Sequence, residues 1–171
     1  STSRELLSLK GPLEKAGLSV ISPCFYEGPC PALEKPEGTC HAEFAWNPPP
    51  LITRLSHAAR IGKESLKVTY LLLSRVNARE NTEGMYRVVS DPMLSKNGRI
   101  RYLLCGQEGR ISLSAPKDIQ AQWMRSFKGL QRGDIISFSK AERRENGYGL
   151  TEKSTLLHTK ISRMPLPMAN F

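Results

Sequence analysis

The sequence contains no apolar run that approaches the length of a membrane-spanning helix, so we predict no membrane-embedded segment. Aromatic residues are scarce, at 7%, and they are not interleaved with basic residues as in base-stacking surfaces. We therefore interpret Trp46 and Trp123 as packing residues. The three histidines are dispersed, and no serine or cysteine occupies a nucleophile elbow. These absences argue against integral membrane proteins and the common hydrolases.

The chain also lacks a recognisable signal or transit peptide, and it begins Ser1-Thr2-Ser3 without methionine. We therefore expect a processed product or a fragment of a longer protein. Four cysteines without a secretory segment favour a reducing, intracellular compartment. In that setting, cysteines in loops are more typical of metal or redox chemistry than of disulfides.

Charge is the clearest feature of the composition. Twenty-five Lys and Arg residues against 16 Asp and Glu give a formal net charge of +9, and the positive residues are spread from Arg54 to Arg163. Such a balance favours a polyanionic partner, most simply RNA, because phosphate contacts supply most non-specific affinity for nucleic acid. The alternative is a basic protein with no nucleic-acid partner.

Apolar periodicity predicts an α+β fold. Residues 3–16 read as a helix with a defect at Gly11-Pro12, and residues 18–21 read as a short strand. Residues 22–50 have almost no periodicity, and a loop this long is expected in a compact domain only if it is functional or cross-linked. We expect the cysteines to supply the cross-link. A helix over 51–61 and a buried strand over 66–75 follow.

The rest of the chain is predicted to be mostly β. We expect a strand over 85–89, a hairpin of 99–104 with 109–114, and a short helix over 118–127. Further strands are expected over 133–138, 146–150 and 155–161. Strands separated by glycine turns indicate a small barrel or a curled sheet.

Four cysteines form the most distinctive pattern: Cys24, Cys30, Cys40 and Cys105. Their spacing lacks the paired C-x-x-C of common zinc modules. Iron–sulfur clusters tolerate irregular spacing, because ligands can come from a loop and a distant strand end. Spacing alone leaves both metals open, with His41 as an alternative ligand, and it also permits a Cys24–Cys30 disulfide or a core role for Cys105.

The cysteines and their neighbours carry a resemblance. Pro23-Cys24, Gly28-Pro29-Cys30-Pro31, Cys40-His41 and Leu104-Cys105 followed by Glu108-Gly109 resemble the cysteine signature of the methyltransferase-like small-ribosomal-subunit assembly factors. That family has mitochondrial and bacterial members. The similarity runs from about Arg4 to Asp134. The chain departs from the family pattern at Phe25-Tyr26 and at Thr39, which puts contacts around the ligands in doubt.

The resemblance implies a 4Fe–4S cluster held by Cys24, Cys30, Cys40 and Cys105, with Zn as the alternative metal. It also implies a class I methyltransferase-like fold that binds small-subunit ribosomal RNA, or the assembling small ribosomal subunit, in the mitochondrial matrix or the bacterial cytoplasm. On this interpretation, residues 1–95 are the late part of the methyltransferase fold with its cysteine-bound metal loop. Residues 96–163 are a small β-rich, barrel-like lobe, and residues 164–171 are a tail.

One methyltransferase element is missing. No glycine cluster follows a strand and opens a helix with an acidic partner, so nothing in this chain is predicted to hold S-adenosylmethionine. We therefore expect the chain alone not to catalyse methyl transfer, and S-adenosylmethionine to bind only if a missing N-terminal methyltransferase half is present. The alternatives are part of an active ribosomal RNA methyltransferase and a zinc-stabilised nucleic-acid-binding module.

The best candidate for RNA contact is the basic stretch around the predicted helix over 51–61. Its candidate residues are Arg54, Arg60, Lys63, Lys67 and Arg75. Basic side chains on one helix face can follow a phosphate track, although an ordinary solvated helix face carries the same pattern.

Overall fold

The computed structural model describes residues 2–24, 26–62, 65–75 and 82–159. The chain divides into two compact units, a first unit Ser1–Thr82 and a second unit Glu83–Phe171. Helices and strands are both present and strands predominate, which confirms the α+β class. The division lies earlier in the chain than the predicted boundary between 95 and 96. The predicted tail over 164–171 lies outside the described residues.

The first unit is built from short elements. They are α1 (Thr2–Ser8), α2 (Lys10–Lys15), β1 (Ser19–Ser22), a 3₁₀ turn (Pro31–Leu33), β2 (Ala42–Ala45), α3 (Pro50–Ala58), β3 (Ser65–Val68) and β4 (Leu72–Ser74). β1 pairs with β4 and β2 pairs with β3, both antiparallel, so the strands form two separate two-stranded ribbons. The 3₁₀ turn and β2 lie inside the stretch 22–50 that was predicted to have no regular structure.

The predicted helix over 3–16 is two helices that meet at Leu9. The break lies before Gly11-Pro12, where the defect was predicted. Pro12 is the third residue of α2, where a backbone N–H has no intrahelical partner to lose. A single continuous helix would instead bring the proline ring against the carbonyl of Ser8, so the first helix ends there.

The prediction of one buried strand over 66–75 is wrong. β3 and β4 belong to different ribbons, and Leu66, Val68 and Leu72 are exposed. Thr69, Tyr70 and Leu71 separate them. The Tyr70 hydroxyl lies 3.1 Å from Ser22 Oγ, and the Thr69 hydroxyl donates to the Cys40 carbonyl oxygen at 3.0 Å. These side-chain contacts turn the chain where an apolar run predicted continuity.

The second unit is an eight-stranded curled sheet. Its strands are β5 (Met85–Val88), β6 (Met93–Leu94), β7 (Arg99–Gly106), β8 (Gly109–Pro116), β9 (Ile135–Ser139), β10 (Glu142–Arg144), β11 (Gly147–Gly149) and β12 (Thr155–Thr159). Their order is β10-β11-β8-β7-β5-β9-β12, with β6 also pairing with β7. All pairs are antiparallel except β11 with β8.

The predicted hairpin is confirmed as β7 and β8. Gly106 pairs with Gly109 across a turn of two residues, Gln107 and Glu108. The predicted helix over 118–127 is shorter, α4 (Met124–Lys128), because the residues before it form turns with hydrogen bonds to carbonyls three residues back. Within the described residues, no helix has both the length and the apolar character needed to cross a bilayer.

One core fills the second unit. Tyr102, Leu104, Leu113 and Phe127 are fully buried within it, and other members come from β5, β8, β9 and α4. The ring of Phe127 packs edge-on against Tyr102 and Trp123, with centroids 5.1 and 5.8 Å away. The interpretation of Trp123 as a packing residue is therefore confirmed.

Candidate metal centre and nucleic-acid interface

Three of the four cysteines lie on one segment of the first unit, which we call the cysteine loop (residues 23–41). Cys24 follows β1, Cys30 immediately precedes the 3₁₀ turn, and Cys40 closes the loop just before β2. Cys24 and Cys30 are buried, whereas Cys40 is partly exposed. None of the four cysteines forms a disulfide, which excludes the Cys24–Cys30 bridge in this structure.

Arg4 on α1 fastens the second half of the cysteine loop. Its Nη1 donates to the carbonyl oxygens of Ala32, Lys35 and Gly38 at 3.2, 2.9 and 2.8 Å, and its Nη2 donates to Leu33 at 3.3 Å. A guanidinium presents several donors in a rigid plane, so one side chain can satisfy carbonyls that a loop leaves without backbone partners.

Lys10 on α2 fastens the first half of the loop. It is fully buried, and its ammonium donates to the Gly28 carbonyl oxygen. The same ammonium lies 3.3 Å from Glu14 Oε2 and 4.9 Å from the centroid of the Tyr26 ring. A buried charge requires such partners, because an isolated ammonium away from water is strongly destabilising. The loop between Cys24 and Cys30 is therefore fixed to the helix.

A small apolar cluster completes the support of the loop. Leu7, Cys30 and Ala32 are buried together, and Leu33 and Cys40 pack against them. The structure thus brings Cys30 and Cys40 into one cluster. The sequence analysis looked to a cross-link to hold this loop and missed the roles of Arg4, Lys10 and Leu7. The sequence offered little evidence for these roles, because two basic residues and a leucine are common in an amphipathic helix.

Cys105 is in the second unit, on β7, and it does not belong to the core. Tyr102 and Leu104 point to the buried face, so Cys105 faces the opposite side of the strand. Its register neighbours are Arg87 on β5 and Arg110 on β8. Directly opposed residues in a sheet lie close together, so the cysteine is flanked by two guanidinium-bearing side chains.

The four thiols match an iron–sulfur cluster in number and in donor chemistry. Across the residues that the structure describes, no three His, Cys, Asp or Glu side chains come together in a group that could hold a metal ion. His41, the alternative ligand, has its Nε2 3.0 Å from Glu43 Oε1. We therefore treat the convergence of the four sulfur atoms as a proposal.

The candidate RNA-binding residues lie on or after α3, β3 and β4. Arg54, Arg60, Lys67 and Arg75 are exposed, and Lys63 lies outside the described residues. Lys67 Nζ is 3.9 Å from Glu43 Oε1, a long ion pair on a side chain that is 64% exposed. Such an exposed pair contributes little to stability, so the ammonium can exchange this partner for a phosphate.

Arg60 differs from the other candidates in its backbone. Its φ is 54°, in the left-handed region that glycine normally occupies after a helix. The Ile61 N–H donates to Ser56 at 2.9 Å and the Arg60 N–H donates to His57 at 3.1 Å, which is the Schellman arrangement. An arginine here costs about 1 kcal/mol relative to glycine, and sequence reasoning did not detect this strain.

A polar cluster on the second unit neutralises another part of the basic surface. The Glu108 carboxylate accepts hydrogen bonds from the Tyr86, Arg143 and Tyr148 side chains. The Tyr86 bond, followed by that from Arg143, holds the pKa of Glu108 below its usual range. Burial, reinforced by Glu108, raises the pKa of Tyr86. The Arg143 guanidinium is thus held in an ion pair with Glu108, with 2.7 Å between Nη1 and Oε2.

Asp134 pairs with His158 in the second unit. The His158 Nε2 lies 2.7 Å from Asp134 Oδ2, and both side chains are more than nine-tenths buried. The same carboxylate oxygen accepts the Gln131 backbone N–H at 2.9 Å. The pair ties β12 to the turn before β9, which is a structural arrangement.

The fold and site together define an α+β protein with a fastened cysteine loop in its first unit and a curled sheet in its second. Compared with models of known families, with curated proteins and with solved structures, the chain matches none. Inferences about function therefore depend on the residues themselves.

Proposed function

We propose that this chain is the iron–sulfur, RNA-binding part of a small-ribosomal-subunit assembly factor of the methyltransferase-like family. The observation that carries the proposal is the cysteine loop, which holds three thiols in the first unit and is fastened by Arg4 and Lys10. The exposed basic residues of the same unit and the net charge of +9 support a polyanionic partner.

In this proposal Cys24, Cys30, Cys40 and Cys105 hold a 4Fe–4S cluster. A bound cluster would cross-link the segments that carry its cysteine ligands. Metal binding commonly couples to folding, because few ligand sites keep their shape without the metal. Here Arg4, Lys10 and Leu7 hold the loop by contacts that need no metal. We therefore expect the loop to keep its fold when the cluster is lost.

The finer parts of the proposal come from the family resemblance. The first unit would derive from the late part of a class I methyltransferase-like fold, and an N-terminal half would be its partner and would be needed to bind S-adenosylmethionine. The RNA would be small-subunit ribosomal RNA, within the mitochondrial matrix or a bacterial cytoplasm. Arg54, Arg60, Lys67 and Arg75 would contact its phosphates, since all four are exposed on one unit.

Anaerobic purification tests the cluster. We expect a brown protein with sulfur-to-iron charge-transfer absorbance, with iron and acid-labile sulfide each near four per chain. Replacing each cysteine by serine should lower the iron content, whereas Glu37→Ala, on an exposed position of the same loop, should not. A colourless protein containing zinc would exclude the iron–sulfur proposal and favour the zinc-stabilised module.

Salt-dependent binding tests the RNA contact. A triple variant with Arg54, Lys67 and Arg75 changed to alanine should weaken binding to a small-subunit ribosomal RNA fragment. It should also flatten the plot of log affinity against log salt by about 0.7 to 0.9 per lost phosphate contact. The matched control removes the same charge from the second unit, at exposed Lys96, Lys117 and Lys153. If both variants lose the same RNA affinity, the basic stretch is an ordinary solvated helix face and not a specific RNA contact.

A further inference from the structure

A groove of about 650 Å³ opens in the first unit between the segment after β2 and one face of α3. Thr53, Ser56 and His57 line the groove from one face of the helix, at spacings of three and four residues. Arg60 lines it from just beyond the end of the helix. Trp46 and its neighbours form the other side. A volume of this size is typical of small-molecule and nucleotide sites.

The two tryptophans have different surroundings. Trp123 belongs to the core of the second unit, where it packs against Phe127. Trp46 belongs to neither apolar core cluster, is only partly buried, and lines the groove. The sequence-based interpretation of Trp46 as a packing residue therefore finds no support in the core clusters, and its side chain lines the groove instead. An accessible indole beside basic groups suits a nucleobase, because every base has a face that can stack.

Charge in the groove favours an anion. Among the described residues that line it, His57 and Arg60 are exposed and none carries a carboxylate. Asn47, Thr53 and Ser56 add hydroxyl and amide groups that can bind a base edge or a ribose hydroxyl. Arg60 is also the residue held at a φ of 54°, which is a strained conformation that a glycine would adopt at less cost. Strain of this kind is concentrated at binding sites.

We infer that the groove binds one unpaired nucleotide of single-stranded RNA, with its base stacked on Trp46 and its phosphate held by Arg60 and His57. The inference rests on the proposed RNA-binding function and narrows it from phosphate contact to recognition of an unpaired base. A base inside a duplex is stacked on both faces and cannot reach the indole, so the groove selects single strands.

The experiment measures binding of three probes to the whole chain: a fluorescein-labelled ten-residue oligouridine, a ten-base-pair RNA duplex, and uridine monophosphate. Trp46→Ala should weaken oligouridine binding by about tenfold and leave duplex binding unchanged, while Trp46→Phe, which keeps a stacking ring, should retain most of the affinity. Arg60→Gly should weaken oligouridine about fivefold without lowering the melting temperature, because glycine relieves the left-handed backbone.

Arg54→Ala is the matched control on the same helix, since Arg54 is exposed but does not line the groove. It should weaken oligouridine and duplex to the same extent. If Trp46→Ala and Arg60→Gly leave oligouridine binding intact, or weaken the duplex equally, the inference is overturned while the RNA-binding proposal stands. Uridine monophosphate binding as tightly as the oligomer would also overturn it, in favour of a free-nucleotide site. A chain that binds no RNA probe overturns both.

Discussion

The two units of this protein use different means to stay folded. The second unit buries its large apolar side chains in one core that includes Tyr102, Leu113 and Phe127. Among its described residues, the first unit has a small apolar cluster around Leu7, and it exposes many of its apolar side chains. These exposed residues are Leu9, Ile21, Leu51, Ile52, Leu55, Ile61, Leu66, Val68 and Leu72.

The difference shows where the fold of each unit comes from. Removal of apolar area from water stabilises the second unit, at roughly 25 cal/mol for each Å² buried. In the first unit much of that area remains in water, and hydrogen bonds from Arg4 and Lys10 to loop carbonyls replace a core. Polar contacts define a geometry well but add only about 0.5–3 kcal/mol each, so the first unit should be the less stable of the two.

The largest predicted effect is a break in the second unit's core. Phe127→Ala removes a fully buried ring between Tyr102 and Trp123, so it should lower the free energy of unfolding by about 3–5 kcal/mol. This loss of unfolding free energy can be measured by urea denaturation, with hydrogen exchange reporting on each unit separately. Leu157→Ala is the control, because Leu157 is 70% exposed and should change stability by at most about 0.5 kcal/mol. Equal effects would mean that the apolar cluster is not the stabilising core.

The next effect is local and belongs to the first unit. Arg4→Ala removes a side-chain donor from four loop carbonyls, of which that of Lys35 keeps the Gly38 N–H, and should destabilise the cysteine loop by about 2 kcal/mol. Amide exchange at Leu33 and Gly38, whose N–H groups close the loop turns, should become faster, while β7 and β8 keep their protection. Arg4→Lys should rescue little, since one ammonium cannot reach all four oxygens.

Lys15→Ala is the matched control for this test, because Lys15 is exposed near the same pair of helices. Its removal should leave exchange in the loop unchanged. Unchanged exchange at Leu33 and Gly38 in Arg4→Ala would contradict the assignment of Arg4 as the loop's fastening.

The effect that is smallest at neutral pH is a titration of a group in the second unit. Burial, followed by the charges of Asp134 and Asp91, raises the pKa of Tyr102 from its ordinary value of 10 to about 12. Because the folded state holds the proton more tightly, this contribution to stability is complete below pH 10 and is lost as the pH rises to about 12. The total is on the order of 2 kcal/mol.

Unfolding free energies measured between pH 9 and 12 check this prediction. Tyr102→Phe should make the unfolding free energy fall less steeply with rising pH. It should change stability little at pH 7, because the hydroxyl makes only a long hydrogen bond of 3.4 Å to the Lys128 carbonyl oxygen. A decline of the same steepness in the variant would assign the alkaline sensitivity to other groups.

Local patterns were enough to predict most of the second unit. Alternating apolar residues and the Gly106 to Gly109 turn predicted the β7–β8 hairpin, since both signals lie within a few residues. The prediction was wrong at residues 66–75, where the apolar run suggested one strand. The chain is divided here because β3 pairs with β2 and β4 pairs with β1, and both partners are distant in sequence. The pattern of neighbouring residues cannot predict pairing with distant strands.

For the candidate site, the sequence could predict which residues take part but not how they are arranged. The cysteines and the basic stretch could be found by residue type, because thiol and guanidinium chemistry is specific. The fastening by Arg4 and the groove beside Trp46 could not, since each brings together residues from separate elements. The left-handed backbone of Arg60 was also undetectable, because arginine gives no signal for a conformation that glycine usually adopts.

The order of the fastening contacts along the chain has a consequence for synthesis. Arg4 precedes every carbonyl that it binds, so during translation the guanidinium has already emerged when Ala32, Lys35 and Gly38 leave the exit tunnel. Thr69, which donates to the Cys40 carbonyl, follows 29 residues later. The second half of the nascent cysteine loop can therefore be fastened by a residue that precedes it, before β7 and Cys105 have been made.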